Sequence, residues 1–107
     1  PCDGLVYDDG ILSIDVTAGV AIGRGEILHL SPTEFRLLSC LVAHEGRVLS
    51  HEFLLTQAWG AEYSGDSKVL SVYIRYLRQK LAQIPDSPTY IHTVWGTGYR
   101  FGPEPSG

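Results

Sequence analysis

Basic side chains concentrate in the second half of the sequence, where they could bind a polyanion. Residues 68–80 contain four of them and no acidic residue: Lys68, Arg75, Arg78 and Lys80. The formal net charge is −4, yet residues 1–66 contain ten acidic and three basic residues, whereas residues 67–107 contain two acidic and five basic ones. A polyanion responds to the local field, which makes nucleic acid a candidate partner. A solvated surface helix would show the same charge pattern.

Apolar spacing predicts that this basic segment is a helix with one buried side. The positions i, i+4, i+7 and i+11 are all apolar: Leu70, Ile74, Leu77 and Leu81. Asp66 or Ser67 is expected to cap the start of the helix, and Leu81 or Ala82 to end it. Pro85 and Pro88 prevent much further continuation.

The opposite side of this helix carries residue types that suit the major groove of DNA. At about 100° per residue, the centre of that side presents Lys68, Val72, Arg75 and Gln79. Ser71 and Arg78 lie on one flank of it, and Tyr76 lies on the other. Arginine pairs bidentately with guanine, glutamine pairs with adenine, and an apolar side chain can contact the methyl group of thymine. The alternative is an ordinary amphipathic helix with a polar surface.

Other chemistries find little support in the residue pattern. There is no nucleophile–base pair, paired carboxylate or phosphate-binding loop, so we expect no enzymatic activity and no cofactor. His44, His51 and His92 fall on different elements and are expected to have capping or surface roles. Cys2 and Cys40 form no CxxC motif, and the simplest role for Cys40 is a small core residue.

A first helix is predicted from Ser31 onward, ahead of the basic helix in the sequence, and its beginning is clearly marked. Ser31 is expected at the N-cap, Pro32 at the first helical position and Glu34 at the third, which completes a capping box. One apolar stripe follows: Phe35, Leu38, Leu41 and Val42. The helix should end near residues 44–46.

A second, shorter helix is predicted after a short strand at Val48–Leu49. Ser50 supplies its N-cap, and Gly60 is expected to end it as a C′ residue in the left-handed region. Its apolar residues are Phe53, Leu54, Leu55, Ala58 and Trp59. We interpret Trp59 as a core residue.

Short strands are predicted at both ends of the chain. Residues 5–30 alternate short apolar stretches, such as Leu12–Val16 and Ile27–Leu30, with glycine-bearing turns, which indicates a four-stranded antiparallel meander. Near the C-terminus, Tyr90–Val94 and Tyr99–Phe101 flank a Gly-Thr-Gly turn and predict a hairpin. Two capped helices, a basic helix and then a hairpin is the order of a winged helix-turn-helix, an α+β fold.

The length of 107 residues predicts a single domain. We divide it into a linker remnant (residues 1–4), an N-terminal sheet (5–30), a three-helix core (31–82) and a wing hairpin (89–101). With 44% apolar and 19% charged residues, and no apolar stretch long enough to span a membrane, the composition is that of a globular domain expected in the cytoplasm. No methionine is present, so we expect a piece of a longer chain or a processed product.

The motifs together resemble a known family. Those motifs are Ser31-Pro32-Thr33-Glu34-Phe35 with Leu37-Leu38, Val48-Leu49-Ser50, Trp59-Gly60, the run from Val72 to Leu81, and Tyr90-Ile91 through Gly96-Thr97-Gly98-Tyr99-Arg100-Phe101. They are similar, in order and spacing, to the C-terminal effector domain of OmpR/PhoB response regulators, and they cover nearly the whole chain. The resemblance implies double-stranded DNA binding for transcriptional regulation in a two-component system. The phosphorylated receiver domain is not in this sequence, so no aspartate here is expected to accept phosphate.

The resemblance also implies a role for particular residues. In the major groove the third helix would place Lys68, Val69, Val72, Tyr73, Arg75, Tyr76 and Arg78. The wing would contact the minor groove or phosphates through Thr93, Trp95, Gly96 and Tyr99. A loop that contacts RNA polymerase would comprise Ala61, Glu62, Tyr63, Ser64 and Gly65. Family members bind direct-repeat half-sites, which implies a homodimer of the full-length protein on DNA.

Three residues depart from the family pattern. Tyr76 and Trp95 stand where many members have arginine, and Val69 stands where threonine is frequent. Each change removes a partner for phosphate or for a base edge, which predicts weaker, more salt-sensitive or differently specified binding. Trp95 could stack in the minor groove or pack back on the hairpin. A winged-helix module that binds proteins and has no DNA target is the alternative function.

Overall fold

The three helices begin and end close to the positions that the sequence predicts. The computed structural model describes residues 6–60 and 68–104. Helix α1 spans Pro32–Ala43, α2 spans His51–Trp59 and α3 spans Lys68–Ala82. The capping box of α1 is confirmed: the Ser31 hydroxyl accepts from the Glu34 N–H at 3.2 Å, and the Glu34 carboxylate accepts from the Ser31 N–H at 2.9 Å. Ser50 caps α2 through the N–H of Phe53.

Two expected helix-terminal features have different outcomes. Gly60 has a positive φ of 111°, but its ψ of 156° lies outside the left-handed helical region, so the prediction of a left-handed C′ glycine is wrong. This conformation has a φ in the region that favours glycine, and its extended ψ ends the helical geometry of α2 at Gly60. The predicted cap of α3 at Asp66 or Ser67 lies outside the described residues, as does the loop of residues 61–65.

The N-terminal strands form the predicted antiparallel meander. Its strands are β1 (Val6–Asp8), β2 (Leu12–Asp15), β3 (Val20–Gly23) and β4 (Glu26–Ile27), and their order in the sheet is the order in the sequence. The last strand is shorter than the expected Ile27–Leu30. The Leu28 N–H still donates to the Ala21 carbonyl at 2.8 Å, after which the chain leaves the sheet to reach the cap of α1.

The wing hairpin belongs to a larger sheet than the sequence predicts. Strands β6 (Thr89–Val94) and β7 (Gly98–Glu104) form the hairpin, and β5 (Val48–Ser50) pairs with β7 to give the order β5-β7-β6. Gly98 lies opposite Ser50, and a Cβ built on Gly98 would lie 1.8 Å from the Leu49 carbonyl oxygen. The glycine at this position is therefore what allows β5 to approach β7 where the strand leaves the tip turn of the wing.

A cluster of aromatic rings joins the two sheets. The Tyr90 ring stacks on Phe101 at 5.5 Å, and Tyr7 meets the same ring edge-on at 5.4 Å. The hydroxyls of Tyr7 and Tyr90 both donate to one Asp9 carboxylate oxygen, at 2.9 and 2.8 Å. The core continues through the buried sides of the helices and includes the four predicted residues of α3 together with Cys40. The N-terminal sheet and the wing sheet are thus tied to one core.

Candidate nucleic-acid interface

Helix α3 divides into the two sides that its spacing predicts. Its buried residues are Leu70, Ile74, Leu77 and Leu81. Lys68, Arg75 and Gln79 are exposed on the other side. Val72 and Tyr76 are 43% and 42% exposed, although both carry large apolar surfaces. No acidic residue occurs within α3, so this side of the helix offers cations, an amide and an apolar surface to a partner.

A row of aromatic rings supports the exposed side of α3. Tyr73 is half-buried, and its ring lies 5.2 Å from that of Trp59 and 5.8 Å from that of Tyr76, with interplanar angles of 73° and 79°. Trp59 is partly buried and packs against the core, as expected. Tyr73 therefore holds Tyr76 in place rather than standing free on the surface.

Arg78 connects α3 to the wing. Its Nε and Nη2 donate to the Ile91 carbonyl at 3.3 and 3.2 Å, and Nη2 also donates to the Thr93 hydroxyl at 2.7 Å. The guanidinium carbon lies 5.8 Å from the centre of the Tyr99 ring. These contacts orient a half-buried cation at the junction between the exposed helix face and the hairpin.

Trp95 projects from the tip of the wing. The tip is a tight turn in which the Thr97 N–H donates to the Val94 carbonyl at 3.0 Å and Gly96 has a φ of 82°. The indole is 90% exposed. The alternative that Trp95 packs back on the hairpin is therefore wrong, because a packed ring would lose most of its exposure.

Tyr99 lies close to the tip of the wing in sequence, but its side chain is packed beneath the wing and not on its surface. It is only 7% exposed, and its ring meets that of His51 edge-on at 5.5 Å. It stays a predicted site residue, but contact with a ligand can involve only the small exposed part of its side chain. Thr93 is half-buried, and its hydroxyl is engaged by Arg78.

Lys80 differs from the other cations of the basic segment. Its ammonium lies 2.6 Å from a Glu34 carboxylate oxygen and 2.8 Å from the His29 carbonyl, so it joins α3 to the start of α1. Although burial acts to raise it, the pKa of Glu34 is lowered, because Lys80 and the Ser31 N–H donate hydrogen bonds to the carboxylate. Lys80 therefore contributes to the fold, and the candidate interface retains Lys68, Arg75 and Arg78.

Comparison with known proteins shows to which family the chain belongs. A family model described as "Transcriptional regulatory protein, C terminal" matches residues 25–101. The alkaline phosphatase synthesis regulator SphR of Synechococcus elongatus is 49% identical over 75 residues, which are 70% of this chain and 29% of that protein. KdpE of Escherichia coli is 42% identical over 90 residues, which are 84% of this chain and 40% of that protein.

The chain belongs to this family. Solved structures place it among the OmpR/PhoB-type regulators: DrrB of Thermotoga maritima, described as an OmpR/PhoB homologue, has a TM-score of 0.79 and 35% identity over 90% of this chain and 43% of its own. The RstA DNA-binding domain of Klebsiella pneumoniae, solved with the RstA box, has a TM-score of 0.79 and 32% identity over 92% of this chain and 98% of its own. The chain spans between 29% and 43% of the length of the curated relatives it matches.

Within this OmpR/PhoB-type domain, the sequence indicates the exposed residues of α3 but misses the connections behind them. The contact of Arg78 with Thr93 spans 15 positions, and that of Lys80 with Glu34 spans 46. Helical periodicity reports only on neighbours within one helix. Two histidines have backbone partners: Nδ1 of His44 lies 3.0 Å from the Cys40 carbonyl oxygen, and Nε2 of His92 lies 2.8 Å from the Gly102 carbonyl oxygen. The part of the chain that the structure describes contains no cluster of metal-binding side chains and no helix long and apolar enough to cross a membrane.

Proposed function

We propose that this domain binds double-stranded DNA with sequence preference and serves as the output domain of a two-component response regulator. One observation carries the proposal: α3 and the wing present their exposed surfaces together. The exposed face of α3 bears Lys68, Arg75 and Gln79 and has no acidic residue. Arg78 joins α3 to the wing, whose tip is exposed. The RstA domain, which has the same fold and was solved with its RstA box, supports this use of the fold.

In the proposed complex, α3 lies in the major groove and the wing contacts the adjacent backbone or minor groove. Arg75 projects from the centre of the exposed face and is the candidate for bidentate pairing with guanine. Arg78 is already oriented by Ile91 and Thr93, so it would contact a phosphate at little further cost in side-chain entropy. Lys68, Val69, Val72, Tyr73 and Tyr76 complete the helix surface, and Thr93, Trp95, Gly96 and Tyr99 complete the wing surface.

The assembly of the whole regulator is a further part of the proposal. By its family membership, we propose a homodimer of the full-length protein on direct-repeat half-sites in the cytoplasm. Ala61, Glu62, Tyr63, Ser64 and Gly65 are proposed to contact RNA polymerase. Joint substitution of Glu62 and Tyr63 in the full-length regulator should then lower transcription and leave DNA affinity unchanged. A parallel loss of DNA affinity would contradict the polymerase assignment.

Selection of bound sequences from a pool of random duplex DNA tests the proposed function. We expect enrichment of a short motif that recurs as a direct repeat in sites selected by the full-length protein. The formal net charge of −4 favours the competing function, a protein-interaction module. No enrichment over input, with folded protein, would support that module and contradict the DNA-binding function.

A further inference from the structure

The exposed face of α3 carries an apolar patch among its cations. Val72 and Tyr76 lie four residues apart, so they are neighbours on successive turns of the helix. Each exposes more than two fifths of its surface, whereas the apolar residues on the opposite side of α3 are buried. Leaving this apolar area in water is unfavourable, and the area is contiguous because the two side chains are adjacent. The patch comprising Val72 and Tyr76 therefore has the properties of a contact surface.

The patch is held in position by the residues behind it. The Tyr76 ring meets Tyr73 edge-on, and Tyr73 meets Trp59 edge-on at the end of α2. Edge-to-face packing is the favoured arrangement of aromatic rings. Val72 is β-branched, which leaves its side chain one strongly preferred rotamer in a helix. Binding a partner would thus immobilise little additional side-chain freedom.

The chemistry around the patch restricts its partner. Lys68, Arg75 and Gln79 share the exposed side of α3, and the whole helix lacks acidic residues, which favours an anionic partner. On duplex DNA the base edges in the major groove are hydrogen-bond donors and acceptors, with one apolar group, the C5-methyl of thymine. Apart from the Tyr76 hydroxyl, the patch has no hydrogen-bonding group, so its apolar surface placed against any other edge would leave that edge without a partner.

We propose that the Val72–Tyr76 patch recognises the C5-methyl groups of thymine in the DNA site. The inference rests on the proposed DNA-binding function and adds one element of its specificity. It assigns to Tyr76 a positive role in recognition. Sites selected by this domain should accordingly contain thymine next to the base that Arg75 contacts.

Replacing thymine by uracil tests the inference, because uracil lacks only the methyl group. Each thymine of a selected duplex is replaced in turn, and the Kd is measured by fluorescence anisotropy at fixed salt. Wild-type protein should lose about three- to tenfold in affinity at one or two positions. Val72→Ala and Tyr76→Ala should bind the thymine duplex more weakly and lose their sensitivity to uracil at those positions. Ser71→Ala, an exposed change on the same helix, is the matched control and should keep that sensitivity.

The outcomes separate this inference from the function on which it rests. If wild-type protein binds thymine and uracil duplexes equally at every position, the methyl-recognition role is wrong and DNA binding stands. If Val72→Ala and Tyr76→Ala remain folded by circular dichroism but keep the full uracil sensitivity, the patch is not the reader and the inference is overturned. If wild-type protein binds no duplex at low salt, the proposed function fails, and this inference fails with it.

Discussion

Arg75 is the residue whose position most directly suits base recognition. It is exposed at the centre of the acid-free side of α3. We expect Arg75→Ala to weaken binding to a selected site by about 1–3 kcal/mol and to relax the preference at one base pair. Titration of the selected site and of single-base variants measures both effects. Arg36→Ala, which removes an exposed arginine from α1, is the charge-matched control; equal losses for the two variants would contradict a specific role for Arg75.

Trp95 is the second residue with an individual prediction. Since the indole is 90% exposed, Trp95→Arg removes almost no packing and should leave the melting temperature unchanged. An added cation at the wing tip should tighten binding to duplex DNA and steepen its salt dependence by about one unit of slope. Both quantities are measured on the same preparation. A lower melting temperature with no gain in affinity would show that the tip does not face DNA.

At the scale of elements, the contact between α3 and the wing decides how the two surfaces are presented together. Arg78→Lys keeps the charge but loses the planar fork that reaches both the Ile91 carbonyl and the Thr93 hydroxyl. We expect a loss of about 1–2 kcal/mol in the free energy of unfolding and faster amide exchange in β6 and β7.

Thr93→Val is the matched variant for this contact, because it removes one of the hydrogen bonds and keeps the side-chain shape. Urea unfolding and hydrogen exchange on both variants measure the effect, and Thr93→Val should show a smaller loss than Arg78→Lys. Unchanged exchange in the hairpin of both variants would mean that Arg78 does not position the wing.

How far the elements could be predicted depends on the range of the interactions that form them. The capping box of Ser31 and Glu34 could be predicted because both residues lie within one stretch of four residues, and the structure confirms it. The pairing of β5 with β7 was not predicted, since Leu49 and Tyr99 are 50 positions apart. For the same reason, the sequence does not predict the contact of Arg78 with the wing or the ion pair of Lys80 with Glu34. The spacing of α3 predicted which residues are exposed, but not that Tyr73 braces Tyr76.

On the scale of the whole molecule, Asp9 couples folding to pH. Although burial acts to raise it, the pKa of Asp9 is lowered, because its carboxylate accepts hydrogen bonds from the Leu12 and Ile11 N–H groups and from two tyrosines. A lowered pKa means that the stabilisation is present above the unfolded value, about pH 4, and is lost as pH falls through the folded value. Burial and hydrogen bonds to Asp9 raise the pKa of Tyr7 and Tyr90. The stabilisation of the fold by these two neutral tyrosines is therefore lost as pH rises above their unfolded value of about 10.

The expected result is a plateau of stability between about pH 5 and pH 9, bounded by both transitions. Asp9→Asn should lower the free energy of unfolding on the plateau and make its decline in acid less steep. Urea unfolding from pH 2 to about pH 12 measures this, with Glu26→Gln as a control that removes an exposed carboxylate from the N-terminal sheet. An acid decline as steep in Asp9→Asn as in the wild type would contradict the assigned role of Asp9.

The salt dependence of binding to duplex DNA tests the central claim most directly. The affinity for a nonspecific duplex is measured from 50 to 300 mM salt, and the logarithm of the binding constant is plotted against that of the salt concentration. Each phosphate contact contributes about −0.9 to the slope. On a nonspecific duplex Arg75 has no selected guanine to pair with, so all three cations of the interface are available to phosphates and predict a linear plot with a slope of about −3. Absence of binding at 50 mM salt, with folded protein, would contradict DNA binding by this domain.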